Sequence, residues 1–331
     1  MQKNISDVKV FISRGIPSVA MEMLRSEGFS VSVGGKEKQM EQAALIAEAK
    51  KCNALLSILT DKIDTHFLNE CSHLEIISQF GAGYDNIDVP AATALRIPVG
   101  NTPGAMSEAT ADIAFGLMIA VSRKFFFMHK KIEKGEWSFF NPTAHLGFEL
   151  KNKTLGIFGL GRIGMDMAQR CKGAYNMNIL YCNRSRNEEA ENMLQAKKVS
   201  FDELLQQSDI ISVHSVLSSE TKGIFNKDAF QKMKRSAIFI NTSRGGVHNE
   251  GDLLEALQQG TIWGAGLDVT NPEPMRADNP LLSMENVAVL PHIGSATVEA
   301  RTAMSAMAAQ NIIEFYKHGS IPHIINPEVL K

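Results

Sequence analysis

The sequence predicts an α/β protein made of two doubly wound parallel-sheet domains. Its 331 residues are roughly twice the length of one ordinary domain. Short β-branched and aliphatic runs alternate with helical stretches from end to end, which is the pattern of parallel strands joined by crossover helices. Most of those runs are near-continuous, as strands covered on both faces are.

Taken in order, VKVFIS from Val8, ALLSIL from Ala54 and EIISQF from Glu75 are the strands expected in the first hundred residues. TLGIFG from Thr154, NILYC from Asn178, DIISVH from Asp209, AIFIN from Ala237 and NVAVLP from Asn286 are those expected further on. Two long apolar-periodic segments, Ala105 to Lys130 and Thr297 to Lys317, stand outside the alternation and are expected to connect the lobes. The first of them is expected to end on Phe125-Phe126-Phe127, packed at an interface. The resulting division is discontinuous: 1–104 with 287–331 as one domain and 105–286 as the other, with the terminal INPEVLK packed on the first lobe. No repeat and no low-complexity segment interrupts the chain.

Composition excludes several classes. Hydrophobic residues at 44% and charged residues at 21% are ordinary for a folded globular chain. Lys and Arg number 34 against 36 Asp and Glu, without a basic run or acidic tail, so neither nucleic acid nor an anionic membrane is expected as partner. The longest apolar stretch, Ile113 to Val121, is too short to span a bilayer. The N-terminal MQKNISDVKVFIS lacks an export signal, so a cytoplasmic location is expected. Cys52, Cys71, Cys171 and Cys182 have neither metal-ligand nor C-x-x-C spacing and are expected to be free thiols. The histidines other than His292 form no metal pair with a nearby acid, and the sixteen methionines read as packing residues.

The strand TLGIF runs directly into Gly159-Leu160-Gly161-Arg162-Ile163-Gly164, followed by the helical MDMAQRCKGA. Strand, motif and helix in that order form a dinucleotide fingerprint: one glycine for the turn, one for backbone approach to the pyrophosphate, one for close helix–strand packing. Arg162 and Ile163, inside the motif, are counted with the glycines at the cofactor. The next strand ends at Asn183, where an NAD-binding protein carries Asp or Glu for the ribose 2′-hydroxyl. Arg184, Ser185 and Arg186 follow, so an acid that would repel a 2′-phosphate is absent and two cations are present. NADP(H) is the expected cofactor, with NAD(H) less favoured.

Three further segments follow in order, INTSRGG from Ile240, AGLDVTNPEP from Ala265 and LPHIGSAT from Leu290, and earlier come FGAGYDNIDV and NTPG. With these the chain resembles the D-isomer-specific 2-hydroxyacid dehydrogenases over essentially its whole length, and within them the NADPH-dependent glyoxylate/hydroxypyruvate reductases, including the branch that reduces 2-ketogluconate. The resemblance implies a Rossmann-type dinucleotide domain beside a flavodoxin-like substrate domain, with the active site in a cleft between them that closes on substrate, and a homodimer built through the dinucleotide domain. It makes Arg244 the substrate clamp, His292 the acid/base and Glu273 its carboxylate partner. Thr110, Val216, Thr242 and Asp268 match positions lining the cofactor, and Ala82 and Gly83 match substrate contacts. The chemistry independently wants such a trio, because reducing a 2-oxo acid needs a proton for the alkoxide and a cation for the carboxylate and ketone. Glu273 is expected to favour the imidazolium of His292. The Gly81-Ala82-Gly83 turn can present successive N–H groups to an anion. In WSFF, Phe139 or Phe140 stands where some relatives close the pocket with a Trp from the partner subunit; Trp137, Phe139 and Phe140 packed in a dimer arm is the other reading.

The expected activity is reduction of glyoxylate to glycolate and of hydroxypyruvate to D-glycerate. A 2-ketogluconate reductase is the runner-up, with phosphite or formate oxidation behind it; formate enzymes of this fold place Gln where Glu273 stands. A dinucleotide-sensing corepressor is the non-enzymatic alternative, disfavoured because no added tail or basic arm is present.

Overall fold

The structure is a computed structural model that describes residues 4–35 and 39–330. The first three residues of the expected N-terminal segment and Lys331 of INPEVLK lie outside the described residues. The chain divides into two units, Met1–Met106 with Ala296–Lys331, and Ser107–Ser295. The second boundary lies nine residues beyond 286, for a reason visible in the second sheet.

In the first unit β1 (Lys9–Ile12), β2 (Ser30–Val33), β3 (Ala54–Ile58), β4 (Ile76–Phe80) and β5 (Val99–Gly100) form a parallel sheet in the order β2-β1-β3-β4-β5. That is the doubly wound order of flavodoxin-like sheets. Helices α1 (Val19–Ser26), α2 (Gln42–Ala49), α3 (Thr65–Glu70) and α4 (Val89–Ala94) are its crossovers. Aliphatic residues alternate between the two faces of β1: Val10 and Ile12 pack with Leu24, Ala308 and Ile312 on one face, and Phe11 packs with Leu55, Phe67 and Ile77 on the other. The terminal segment does pack on this unit, where Asn326 takes the Val99 amide on its Oδ1 at 2.8 Å and donates to the Ile97 carbonyl.

In the second unit the long apolar segment after Ala105 is two helices, α5 (Ser107–Ser122) and α6 (Phe125–Glu133), so the three phenylalanines begin a helix and do not end one. Lys124 between them is left-handed (φ 57°) and buried, its Nζ 2.9 Å from Glu285 Oε1 and over the Trp263 ring. The sheet follows: β6 (Thr154–Phe158), α7 (Arg162–Tyr175), β7 (Asn178–Cys182), α8 (Glu188–Leu194), β8 (Lys197–Lys198), α9 (Phe201–Gln207), β9 (Ile210–Val213), α10 (Lys227–Lys232), β10 (Ile238–Asn241), α11 (Glu250–Gln258), β11 (Gly264–Leu267) and β12 (Val287–Val289). All seven strands are parallel, in the order β12-β11-β10-β9-β6-β7-β8. The chain reverses between β6 and β9, the switch point where such sheets open a crevice beyond their carboxyl ends. Because β12 pairs with β11, residues 287–295 belong to this unit, and the expected cut after 286 is corrected accordingly. The last helix, α12 (Val298–His318), returns to the first unit and is capped by Thr297.

Candidate active site

The fingerprint loop has the geometry its glycines require. Gly159 sits at φ +95°, and a Cβ there would meet Ser215 N at 2.6 Å. A Cβ on Gly164 would approach the Gly159 carbonyl at 2.9 Å, so only glycine lets α7 pack this closely on β6. Gly161 faces open space with no atom within 4 Å of a built Cβ, leaving its backbone approachable at the start of a 14-residue helix. Arg162 and Ile163 form the first turn of that helix. These residues fit a dinucleotide pyrophosphate.

At the end of β7, Asn183 is committed to this loop: its Oδ1 accepts from Leu160 N at 2.7 Å and its Nδ2 donates to Leu160 O at 3.2 Å. Arg186 pairs with Glu191, Nε to Oε2 at 2.7 Å, and Tyr181 OH donates to the other carboxylate oxygen at 2.7 Å. Those two hydrogen bonds, Arg186 first, hold the Glu191 carboxyl below its usual range. Lys198 on β8 donates to the Arg184 carbonyl at 3.2 Å, and Ser185 lies between the two arginines.

Along the same rim, β10 to β12 bring the three expected catalytic candidates into one unit. Asn241, the last residue of β10, accepts from Ser243 N and Oγ at 2.9 Å and donates to the Arg244 carbonyl at 3.0 Å, folding the strand end into a turn that carries Arg244. Beyond β11, the Asn271–Pro272 and Glu273–Pro274 peptides are cis. Beyond β12, His292 is left-handed at φ 54° and its Nδ1 lies 2.5 Å from Glu273 Oε1. Burial alone would push the Glu273 carboxyl up; the hydrogen bond and charge of His292, then the backbone of Thr270 and last the charge of Arg244, bring it net below the usual carboxylate value.

Asp268 is buried and takes the backbone amides of Ile293 and Gly294 at 2.8 and 2.7 Å, so it grips the two residues that follow His292. Burial raises its pKa, against the pull of those amides and of His292. Thr110 Oγ1 donates to the Gly294 carbonyl at 3.1 Å, which places Thr110 on the same loop. Thr242, buried, is next to Asn241, and Val216 is exposed beyond β9. In the first unit, the turn holding Ala82 and Gly83 is fixed by its carbonyls: Gly81 O takes Thr102 N, Ala82 O takes Asn101 Nδ2, and Gly83 O takes Gln79 Nε2.

Two histidines to which the sequence reading assigned no chemistry, His248 buried and His214 partly buried, back this rim. His214 Nε2 is 2.8 Å from Ser212 Oγ and its Nδ1 is 3.5 Å from Thr242 Oγ1; burial pushes its pKa down to about 3. His248 Nδ1 accepts from Asn241 Nδ2 at 3.0 Å, and burial pushes it down to about 4. The signal available in sequence was an Asn at a strand end, a residue type that caps its own turn; the histidines' burial left no local trace. Among the described residues no cluster of His, Cys, Asp and Glu could hold a metal ion, and no helix is long and apolar enough to cross a membrane.

A parallel sheet that opens its first crossover helix on such a loop defines a dinucleotide-binding α/β protein. The family description "D-isomer specific 2-hydroxyacid dehydrogenase, NAD binding domain" matches residues 115–294. The glyoxylate reductase of Korarchaeum cryptofilum is 41% identical over 98% of this chain and 97% of its own length. A solved glyoxylate reductase from Paecilomyes thermophila has a TM-score of 0.86 at 32% identity, covering 97% of this chain and 99% of its own. The NADPH-dependent glyoxylate/hydroxypyruvate reductase of Sinorhizobium meliloti, solved with NADP and malonate, has a TM-score of 0.83 at 30% identity over 96% of each chain. The chain belongs to the D-isomer-specific 2-hydroxyacid dehydrogenases.

Proposed function

We propose that this dehydrogenase is a cytoplasmic, NADPH-dependent reductase of small 2-oxo acids, converting glyoxylate to glycolate and hydroxypyruvate to D-glycerate. The observation that carries the reading is the His292–Glu273 pair at 2.5 Å, with the charge of Arg244 felt at Glu273, on the rim that holds the fingerprint loop. The names of the relatives support the substrate class, and the NADP-bound relative supports the cofactor.

Gly159, Gly161, Arg162, Ile163 and Gly164 would hold the pyrophosphate, Arg184, Ser185 and Arg186 the 2′-phosphate, and Thr110, Val216, Thr242 and Asp268 would line the cofactor, Asp268 close to the nicotinamide, with Asn183 bracing the loop. The bound nicotinamide supplies a hydride to the carbonyl carbon. Arg244 binds the substrate carboxylate and polarises the ketone. Ala82 and Gly83 are assigned to substrate contact, through the backbone N–H groups of their own turn. His292 hydrogen-bonds Glu273 through Nδ1 and gives its Nε2 proton to the oxygen as negative charge develops there. Glu273 stabilises the imidazolium before that transfer, and in the oxidative direction His292 takes the proton back. Asp268, by holding Ile293 and Gly294, keeps the imidazole aimed.

A homodimer is part of the proposal. Trp137, Phe139 and Phe140 are 72%, 70% and 85% exposed on one stretch after α6, a cluster of exposed apolar side chains that a partner subunit would cover.

The test is initial-rate oxidation of NADPH and, separately, NADH with glyoxylate, hydroxypyruvate and 2-ketogluconate. Highest kcat/KM with NADPH and the two small acids is expected. A larger value with 2-ketogluconate would move the substrate assignment, and no turnover with any of the three would remove it.

A further inference from the structure

The end of β7 carries no acid, but one on α8, Glu191, meets the second of the arginines that follow it. From the fingerprint loop a continuous hydrogen-bond path runs outward: Asn187 Nδ2 donates to Leu160 O at 3.3 Å, Asn187 N donates to Tyr181 OH at 2.9 Å, Tyr181 OH donates to Glu191 Oε1, and Glu191 Oε2 takes Arg186. Arg186 Nη2 adds a second contact to Glu191 at 2.5 Å. Tyr181 is fully buried, so its hydroxyl anchors Glu191 to the core, whereas the Arg186 side chain is 66% exposed. Of the two arginines that follow Asn183, one therefore has its guanidinium held by an anchored carboxylate.

We propose that Glu191 is a specificity-determining residue: by holding Arg186 in an ion pair anchored through Tyr181, it withholds that guanidinium from a 2′-phosphate and limits this chain's preference for NADP(H) over NAD(H). The inference rests on the reading that Arg184, Ser185 and Arg186 face the 2′-position. A guanidinium spent on a fixed carboxylate offers fewer of its N–H donors to phosphate, and the pair presents no net charge. Glu191 contacts neither substrate nor reacting atoms; it acts through Arg186.

The test is calorimetric binding of 2′,5′-ADP and 5′-AMP to the full chain, which separates the 2′-phosphate from the rest of the nucleotide without turnover. Glu191→Gln keeps an oxygen for Tyr181 and removes the charge. It is expected to tighten 2′,5′-ADP about fivefold, the scale of one exposed ion pair, with 5′-AMP unchanged. Arg186→Ala should then cost at least about threefold more 2′,5′-ADP affinity in the Glu191→Gln background than in the unsubstituted chain, because the released guanidinium offers the phosphate more of its donors. Equal costs in the two backgrounds would reduce Glu191 to a distant charge and overturn the proposal. So would an unchanged or weakened 2′,5′-ADP affinity in Glu191→Gln, or a weakened 5′-AMP, which would make Glu191 an acceptor for the ribose. If the unsubstituted chain binds 2′,5′-ADP no better than 5′-AMP, the NADP reading itself fails and takes this inference with it. Thermal melting of each variant confirms that the fold is retained.

Discussion

Around His292, polar groups from three separated segments converge: Thr110 on α5, Asp268 and Glu273 in the stretch after β11, and the loop after β12. Around Glu191, the Asn183 to Glu191 segment and Tyr181 on β7 supply most of the network, with Leu160 and Lys198 joining from outside. Buried Thr110 and Asp268 hold the first corner at short range and leave the loop after β12 little freedom, although Glu273 itself is 40% exposed. The second ends in an exposed arginine whose partner sits eight residues after Asn183, within reach of modest substitutions. A reaction centre needs fixed geometry for proton transfer, whereas discrimination between two cofactors needs only a balance of surface charge. The two corners differ accordingly.

The largest expected effect would break the first corner. Replacing His292 by Gln removes the proton donor and should lower kcat about a thousandfold while NADPH binding, followed by fluorescence titration, stays within about twofold. An unchanged kcat would end the acid–base assignment. Next comes the second corner: Arg184→Ala with Arg186→Ala should raise the KM for NADPH about ten- to a hundredfold, the scale of one or two lost charge-assisted hydrogen bonds, and leave the KM for NADH nearly unchanged. Equal changes for both cofactors would show that these cations do not read the 2′-phosphate.

The smallest expected effect concerns the wall behind Arg244, where Asn241 joins the Arg244 turn to His248. Below about pH 6.5 the unfolded chain protonates this histidine, whereas the folded chain resists until about pH 4. The unfolded state therefore binds more protons in that window, and stability falls as pH falls. His248→Asn should flatten the pH dependence of the urea-unfolding free energy by about 1.4 kcal/mol per pH unit between pH 6 and 4.5. An identical slope in both proteins would mean that His248 titrates normally in the fold.

The fingerprint, the Arg244 turn and the segment carrying His292 were legible because each is an expected strand followed by a short loop whose residue types are set locally, whereas the Glu273 segment was legible only through the family resemblance. The strands β2, β5, β8 and β11 were not among the expected ones. Three are edge or near-edge strands of two to four residues, and β11 is Gly264-Ala265-Gly266-Leu267, kept small because Leu117 and Val121 of α5 lie against it. The break between α5 and α6 has no glycine or proline to announce it. It is held by the buried Lys124, whose partners Trp263 and Glu285 stand more than a hundred residues away.

Local chemistry thus settled where strands enter loops, which loop is glycine-rich, and which side chains could carry a proton or a charge. Tertiary structure alone decided what each charge faces. Asn183 looked free to meet a cofactor and instead braces Leu160; Arg186 looked like an unopposed cation and instead meets Glu191. Spacing along a chain fixes periodicity and turn chemistry, but the partner of a long flexible side chain depends on which helix the fold brings beside it, here α8 packed after β7. The same reason explains His214 and His248: their protonation is governed by burial, which no residue in their own segments could announce.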